Sequence, residues 1–167
     1  MDHSMWIEVE RSRKRMHEIL DQKFDNFILH TACGDLAEYL DKDTYAKPLL
    51  APARMFKGAK PTAVILPEKG KVVAATWQRV VLTILLDCDS DPVKHERLMT
   101  LRSRVAGDFR WLLSDKSKGL RAPLRINEGL YFEGKFDTEA LLRNLTKKIL
   151  EPVGYDYSGI AVLLRNV

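Results

Sequence analysis

The N-terminal quarter of the chain repeats apolar residues at the spacing of a helix that buries one face. These residues follow the a and d positions of a seven-residue repeat, and Arg13 and Lys23 take two further positions of the same track. The apolar members are Trp6, Val9, Met16, Leu20 and Phe27. The pattern predicts helix over residues 5–41, in two pieces that break at residues 33–35, with Asp35 capping the second piece. Because an apolar stripe must be covered, the helix either packs on the chain's own core or mediates dimerisation, and the pattern favours neither.

A stretch rich in proline and small residues follows the helix at residues 46–60. Its prolines and glycine predict a linker, and its apolar residues indicate that this linker lies against the protein surface. The expected organisation is therefore a helical element with a capacity to dimerise (1–45), the linker, and one further domain (61–167).

Residues 61–167 mix strand and helix patterns, which predicts an α+β fold. Short apolar runs bounded by turn residues predict strands at 62–66, 72–74, 124–126, 130–132 and 160–164. Helices are expected after the capping residues Thr76 and Asp137, and over residues 93–105. The predicted architecture is a coiled-coil-like helix, then a small mixed α/β domain with a β-hairpin and a C-terminal helix–strand unit. The last strand is apolar enough to lie at the centre of a sheet.

Positive charge is concentrated between Met99 and Arg125. The segment holds seven cations and two carboxylates, a net charge of +5, whereas the whole chain carries +4. The cations are Arg102, Arg104, Arg110, Lys116, Lys118, Arg121 and Arg125. Such a cluster is a candidate anion-binding surface, and nucleic acid is the commonest large polyanion.

Aromatic residues interleave with these cations. Phe109 and Trp111 could stack on unpaired bases while arginine and lysine side chains grip phosphates. The alternative is an ordinary solvated face in which Trp111, Leu112 and Leu113 belong to the core. Composition alone does not separate the two interpretations.

The acidic run Asp87, Asp89 and Asp91 has the alternating carboxylates of a calcium loop. Pro92 stands where that loop needs glycine and Leu98 where it needs a bidentate glutamate, so Asp91 is predicted to cap a helix instead. No metal site is predicted from this run.

Other possible chemistry is weaker still. Glu133 and Lys135 match half of a magnesium-dependent nuclease site, but no aspartate follows a strand in the position that the other half requires. The histidines (His3, His17, His30 and His95) are scattered, and Cys33 and Cys88 have no metal-ligand or disulfide-framework spacing. We predict no cofactor, and the absence of a catalytic set favours a non-enzymatic module.

Four motifs resemble a small bacterial and phage accessory module. They are the residues 76–78, 121–126, 130–136 and 153–156, which read TWQ, RAPLRI, LYFEGKF and VGYD. The module occurs in uncharacterised proteins and at the C-terminal ends of restriction- or defence-linked proteins, and the resemblance covers residues 60–165. Its members place a Thr-Asn-type pair where this chain has Gly134 and Lys135, which argues against a shared catalytic element there. The resemblance implies an interaction module beside DNA-handling machinery.

The leading hypothesis is a nucleic-acid-associated accessory or regulatory module, with DNA favoured over RNA and a link to phage or mobile-element defence. The first alternative is a protein-interaction adaptor whose basic face meets an acidic partner, and the second is a magnesium-dependent nuclease. We expect a homodimer that forms through the N-terminal helix. We also expect a cytoplasmic location and no membrane partner, because the start of the chain lacks the apolar core of a signal peptide.

Overall fold

Seven strands and five α-helices make up the computed structural model, which describes residues 2–106 and 110–166. The strands are β1 (Thr44–Pro48), β2 (Pro61–Leu66), β3 (Gly70–Val73), β4 (Leu113–Ser114), β5 (Pro123–Asn127), β6 (Leu130–Glu133) and β7 (Ala161–Arg165). The helices are α1 (His3–Ala32), α2 (Trp77–Asp89), α3 (Pro92–Leu101), α4 (Thr138–Arg143) and α5 (Glu151–Val153). A π-helical segment (Asn144–Leu150) joins α4 to α5, and single 3-10 turns lie at Ala37–Tyr39 and Ala53–Phe56. The α+β class is as predicted.

The larger sheet is antiparallel, with the strand order β1-β7-β2-β3. The prediction that the last strand is central is confirmed, since β7 pairs with both β1 and β2. Its alternate side chains enter two separate clusters: Val162 and Leu164 join the main core, while Ala161 and Leu163 pack in a smaller cluster with Leu36. Both faces of β7 are therefore covered, which explains its continuous apolar run.

The predicted linker at residues 46–60 is instead part of the folded body. β1 hydrogen-bonds along β7, more than a hundred residues away in sequence. Leu49 and Phe56 are buried in the main core, and the Phe56 ring meets Trp77 edge-on with centroids 5.5 Å apart. The prolines and glycine of this stretch mark turns within the fold, and its apolar residues enter the core instead of only lying against the surface.

Side-chain caps begin the helices where the sequence predicted them. The side chain of Thr76 accepts from Arg79 N at the start of α2, and Asp137 accepts from Ala140 N at the start of α4. Helix α3 is shorter than predicted, because it ends at Leu101 rather than at residue 105.

Helix α1 is one continuous rod of 30 residues, about 45 Å long at 1.5 Å per residue. The expected second helical piece is only the 3-10 turn Ala37–Tyr39, where Asp35 accepts from Ala37 N. Ion pairs attach the C-terminal half of α1 to the body: Asp25 to Lys47 at 2.9 Å, and Asp21 to Arg54 at 2.7 Å. Asp25 is the only described α1 residue that is buried.

Candidate functional site

A small antiparallel sheet, with the order β4-β6-β5, positions the basic segment. Leu113, Phe132 and Leu124 face each other across its strands and contribute to the core. The next row is Ser114, Tyr131 and Arg125, which alternation sends to the opposite face. The turn after α3 is hydrogen-bonded to the start of this sheet, since Ser103 N donates to Leu113 O and Leu112 N donates to Val105 O.

Two of the seven predicted cations are not available to a ligand, because their side chains contact other parts of the fold. Arg102 donates to the carbonyls of Met99 and Gly129, at 3.2 and 2.9 Å, and so ties the end of α3 to the β5–β6 turn. The Nε of Arg110 lies 2.7 Å from Oε2 of the buried Glu133. That nitrogen is itself buried without an aligned hydrogen bond, so the contact is an ion pair. Both arginines hold the fold together.

The remaining five cations are exposed, and we call them the basic surface. They are Arg104, Lys116, Lys118, Arg121 and Arg125. Arg125 lies on β5, Arg104 lies in the turn after α3 that is hydrogen-bonded to β4, and the other three lie in the 115–122 loop that joins β4 to β5. Asp115 and Glu128 are exposed in the same region. Asp108, a carboxylate counted in the segment, lies outside the described residues.

Glu133 anchors the C-terminal end of the 115–122 loop to the sheet. Its Oε2 accepts from Arg121 N at 2.8 Å, and its Oε1 accepts from Ala122 N and Lys135 N at 2.9 and 3.0 Å. Burial raises the pKa of this carboxyl, but the three backbone hydrogen bonds and the charge of Arg110 outweigh it and hold the pKa below its usual value of 4.5. The carboxylate is fully buried and both oxygens are occupied, so it presents no oxygen to a magnesium ion.

Two cations outside the predicted basic set border the basic surface. Lys135 is exposed and follows the strand whose carboxylate binds Arg121 and Ala122. Lys148 is exposed in the π-helical segment, and its Nζ donates to Ala106 O at 3.2 Å. Charge counting within one stretch could not find Lys148, because only the fold brings it to residue 106.

Trp111 is not a core residue, contrary to one of the two predicted alternatives. Its side chain is 46% exposed, whereas Leu112 and Leu113 beside it are fully buried. The two leucines therefore anchor the strand while the indole stays accessible beside them. Phe109 lies outside the described residues.

A second candidate surface runs along α1, and we call it the outer stripe. At 100° per residue, Met16 and Phe27 lie about 160–180° around the helix from the buried Asp25. Met16 and Phe27 are each 65% exposed and Trp6 is 54% exposed. Within the described residues, the stripe therefore does not pack on the chain's own core. Of the two predicted ways to cover the stripe, packing on the core is thus wrong, and dimerisation stays a prediction.

The outer stripe adjoins an open groove of about 830 Å³ between α1 and the turn at residues 53–56. Trp6 and Arg13 of the stripe line its helical side together with Ile7, Lys14 and Glu18, and Arg54 and Met55 line the other side. Because of this groove, the N-terminal half of α1 is also open to solvent on the side that faces the body.

A polar network next to the basic surface was also missed from the sequence. Asp89 Oδ1 lies 2.6 Å from His95 Nδ1, and both its oxygens accept from Asn127 Nδ2. Asn127 in turn accepts from Gly129 N, which fixes the β5–β6 turn. Asp91 caps α3 as predicted, accepting from Val93 N and Lys94 N, and these hydrogen bonds lower its pKa. The acidic run therefore serves local structure.

Cys33 and Cys88 are both free thiols. Burial raises the pKa of Cys88 to about 12, which leaves it unreactive near neutral pH. Across residues 2–106 and 110–166, the histidine, cysteine, aspartate and glutamate side chains form no grouping of three that could hold a metal ion.

The chain matched no protein-family model, no curated protein and no solved structure. Within the described part of the chain, none of the helices is long and apolar enough to cross a membrane.

Proposed function

We propose that the protein is a non-enzymatic accessory module that binds the phosphate backbone of nucleic acid through the basic surface. The observation that carries this proposal is that Arg104, Lys116, Lys118, Arg121 and Arg125 stay exposed on the small sheet, its loop and the turn hydrogen-bonded to it. Arginine and lysine side chains grouped in this way neutralise successive phosphates.

Trp111 supports a single-stranded or unpaired target. An indole that is half exposed among cations can stack on a base, and such stacking tolerates any sequence. DNA is favoured over RNA because residues 60–165 resemble a module found beside restriction and defence machinery. A cytoplasmic role in phage or mobile-element defence is part of the proposal.

Self-association through α1 completes the proposal. The outer stripe exposes its apolar residues along α1, and these residues need a partner to cover them. A second copy of the protein is always present at the same concentration as the first and carries the same stripe. Two copies carry two basic surfaces, so binding one strand with both raises avidity without any new contact.

The test is binding to single-stranded and duplex DNA across a salt series. If five phosphates are neutralised, the affinity for duplex falls roughly 500-fold between 50 and 200 mM salt, from a logarithmic slope of about −0.9 per contact. The triple variant Lys116→Glu, Lys118→Glu and Arg121→Glu is expected to lose binding at low salt. Arg102 and Arg110 are left unchanged, because replacing them would disturb the fold.

A matched control reverses three exposed lysines elsewhere: Lys42, Lys57 and Lys71, each to glutamate. It has the same net charge as the loop variant and is expected to lose much less affinity. If the two variants lose equal affinity for DNA, net charge explains the binding and the basic surface does not. If the wild-type protein does not bind DNA at low salt, the proposal is wrong. Trp111→Ala separates stacking from charge, since it should weaken single-strand binding while leaving the salt slope unchanged.

The alternative function is a protein adaptor whose basic surface meets an acidic protein. It is favoured by the outer stripe, which nucleic-acid binding by itself does not need. A stoichiometric protein partner that survives nuclease treatment and is lost in the loop variant would establish it.

A further inference from the structure

The outer stripe alternates apolar and cationic residues along its a and d positions. Reading from the N-terminus, the series is Trp6, Val9, Arg13, Met16, Leu20, Lys23 and Phe27. We propose that two copies of the protein pair their α1 helices in an antiparallel orientation, with Trp6 of each copy against Lys23 of the other. This inference rests on the self-association in the proposed function and specifies its geometry.

The stripe is accessible to a second copy over its whole length. The ion pairs from Asp21 and Asp25 hold α1 to the body by its inner side. Trp6 and Arg13 border the open groove between α1 and residues 54–55, and the other five members of the stripe lie on the opposite side of the helix. The described residues of the stripe are all exposed.

The apolar area available is that of a stable dimer. Eight apolar residues of α1 on or beside the stripe are each at least 47% exposed: Met5, Trp6, Val9, Met16, Ile19, Leu20, Phe24 and Phe27. Each is about half exposed and offers about 100 Å², since a whole large aromatic side chain buries 150–250 Å². Together they offer roughly 800 Å² per copy. That is the contribution of one partner to a standard-size interface of about 1,600 Å².

The cations in the seam decide the orientation. In a parallel pair, each position faces its own copy, so Arg13 meets Arg13 and Lys23 meets Lys23 inside the apolar seam. Like charges so close together destabilise the pair, and burial there makes the repulsion stronger. In an antiparallel pair, a positions face d positions, so Lys23 no longer meets Lys23 and the two Arg13 residues no longer face each other but are staggered by about 4.5 Å along the axis.

One antiparallel register satisfies the whole series. Lys23 lies against the face of Trp6, where a cation is attracted to the indole ring. Val9 then faces Leu20, and the stem of Arg13 covers Met16 while its guanidinium reaches solvent. Phe27 lies against the first turn of the second helix. The two-fold axis passes between residues 14 and 15.

Spin-label distances measure this geometry directly. Single cysteines replace Ser4, Arg15 or Asn26 in a Cys33→Ala background, and the buried Cys88 is kept. Antiparallel pairing separates the two labels by about 32 Å at residue 4 and about 35 Å at residue 26, from the 1.5 Å rise per residue, with a short distance at residue 15. Parallel pairing gives short distances, roughly 10–20 Å, at all three sites, because neighbouring helix axes lie 8–10 Å apart.

Three short distances would overturn the antiparallel inference and leave self-association intact. A monomer by sedimentation at high concentration, with no dipolar coupling at any site, would overturn both. DNA binding by the basic surface is measured separately and stands or falls on its own.

A pair of variants connects the dimer to the stripe. Met16→Ser with Leu20→Ser is expected to raise the dimer dissociation constant at least 100-fold, because it removes two seam residues from each copy. Ile7→Ser is the matched control, since Ile7 is an exposed apolar residue of α1 that lines the groove toward the body. Equal weakening by both variants would refute an interface on the outer stripe.

Discussion

Replacing Glu133 with glutamine tests whether this carboxylate holds the binding loop in place. The amide keeps one oxygen, which can still accept from Ala122 N and Lys135 N. Its NH₂ group then occupies the Oε2 position, where the hydrogen bond from Arg121 N at 2.8 Å and the ion pair with Arg110 Nε at 2.7 Å are both lost. Removing one partner of a buried ion pair costs about 3–5 kcal/mol.

The lower end of that range is expected, about 3 kcal/mol, because Arg110 keeps 23% of its side chain exposed and can reach water. For a chain of this size each kcal/mol lowers the melting temperature by about 2–4 °C, so the midpoint should fall by roughly 6–12 °C. Urea unfolding followed by circular dichroism gives the free energy, with Glu128→Gln as the control. Glu128 is an exposed carboxylate on the same hairpin, and its loss should change stability by less than about 0.5 kcal/mol.

The pH dependence supplies a second measurement of the same contact. The folded-state pKa of Glu133 lies below 4.5, so the folded state holds the charged form more firmly than the unfolded chain does. The contribution of Glu133 to the free energy of unfolding is present in full above its unfolded-state pKa. That contribution is lost as the pH falls through its folded-state pKa. The gap between wild type and Glu133→Gln should therefore narrow below pH 4.5. A loss under 1 kcal/mol at pH 7, or a gap that stays constant down to pH 3, would refute the anchoring role.

Three further substitutions test single contacts elsewhere in the fold. Lys47→Met leaves the buried Asp25 without its cation, and this should cost about 3–5 kcal/mol or detach the C-terminal half of α1, seen as faster amide exchange there than in β7. Thr76→Ala removes the cap of α2 and should cost about 1 kcal/mol in urea unfolding, whereas Thr76→Ser should cost almost nothing. Gly154→Ala should cost about 1–2 kcal/mol, because the backbone there has φ of +80° and the new Cβ would lie 2.9 Å from Arg97 Nη1; unchanged stability would show that this turn relaxes.

Local patterns in the sequence predicted the elements but not their partners. The caps at Thr76 and Asp137, the hairpin around residues 127–129 and the central strand near residue 162 all depend on residues within a few positions of each other. Hydrogen-bonding and apolar periodicity act over that range, so these predictions were confirmed. Residues 46–60 were misinterpreted because the same prolines and glycine mark a linker or a turn, and only pairing with a strand near the C-terminus distinguishes them.

The basic segment shows the same division more sharply. The sequence by itself determined that seven cations fall within one stretch and that an apolar track runs along α1, because composition and period are properties of the chain. Which cations stay exposed was decided by the tertiary structure, through Gly129 O for Arg102 and the buried Glu133 for Arg110. Those partners lie more than 20 residues away along the chain, and burial depends on contacts that no local pattern encodes. For the same reason only the folded body could show that the outer stripe of α1 faces away from it.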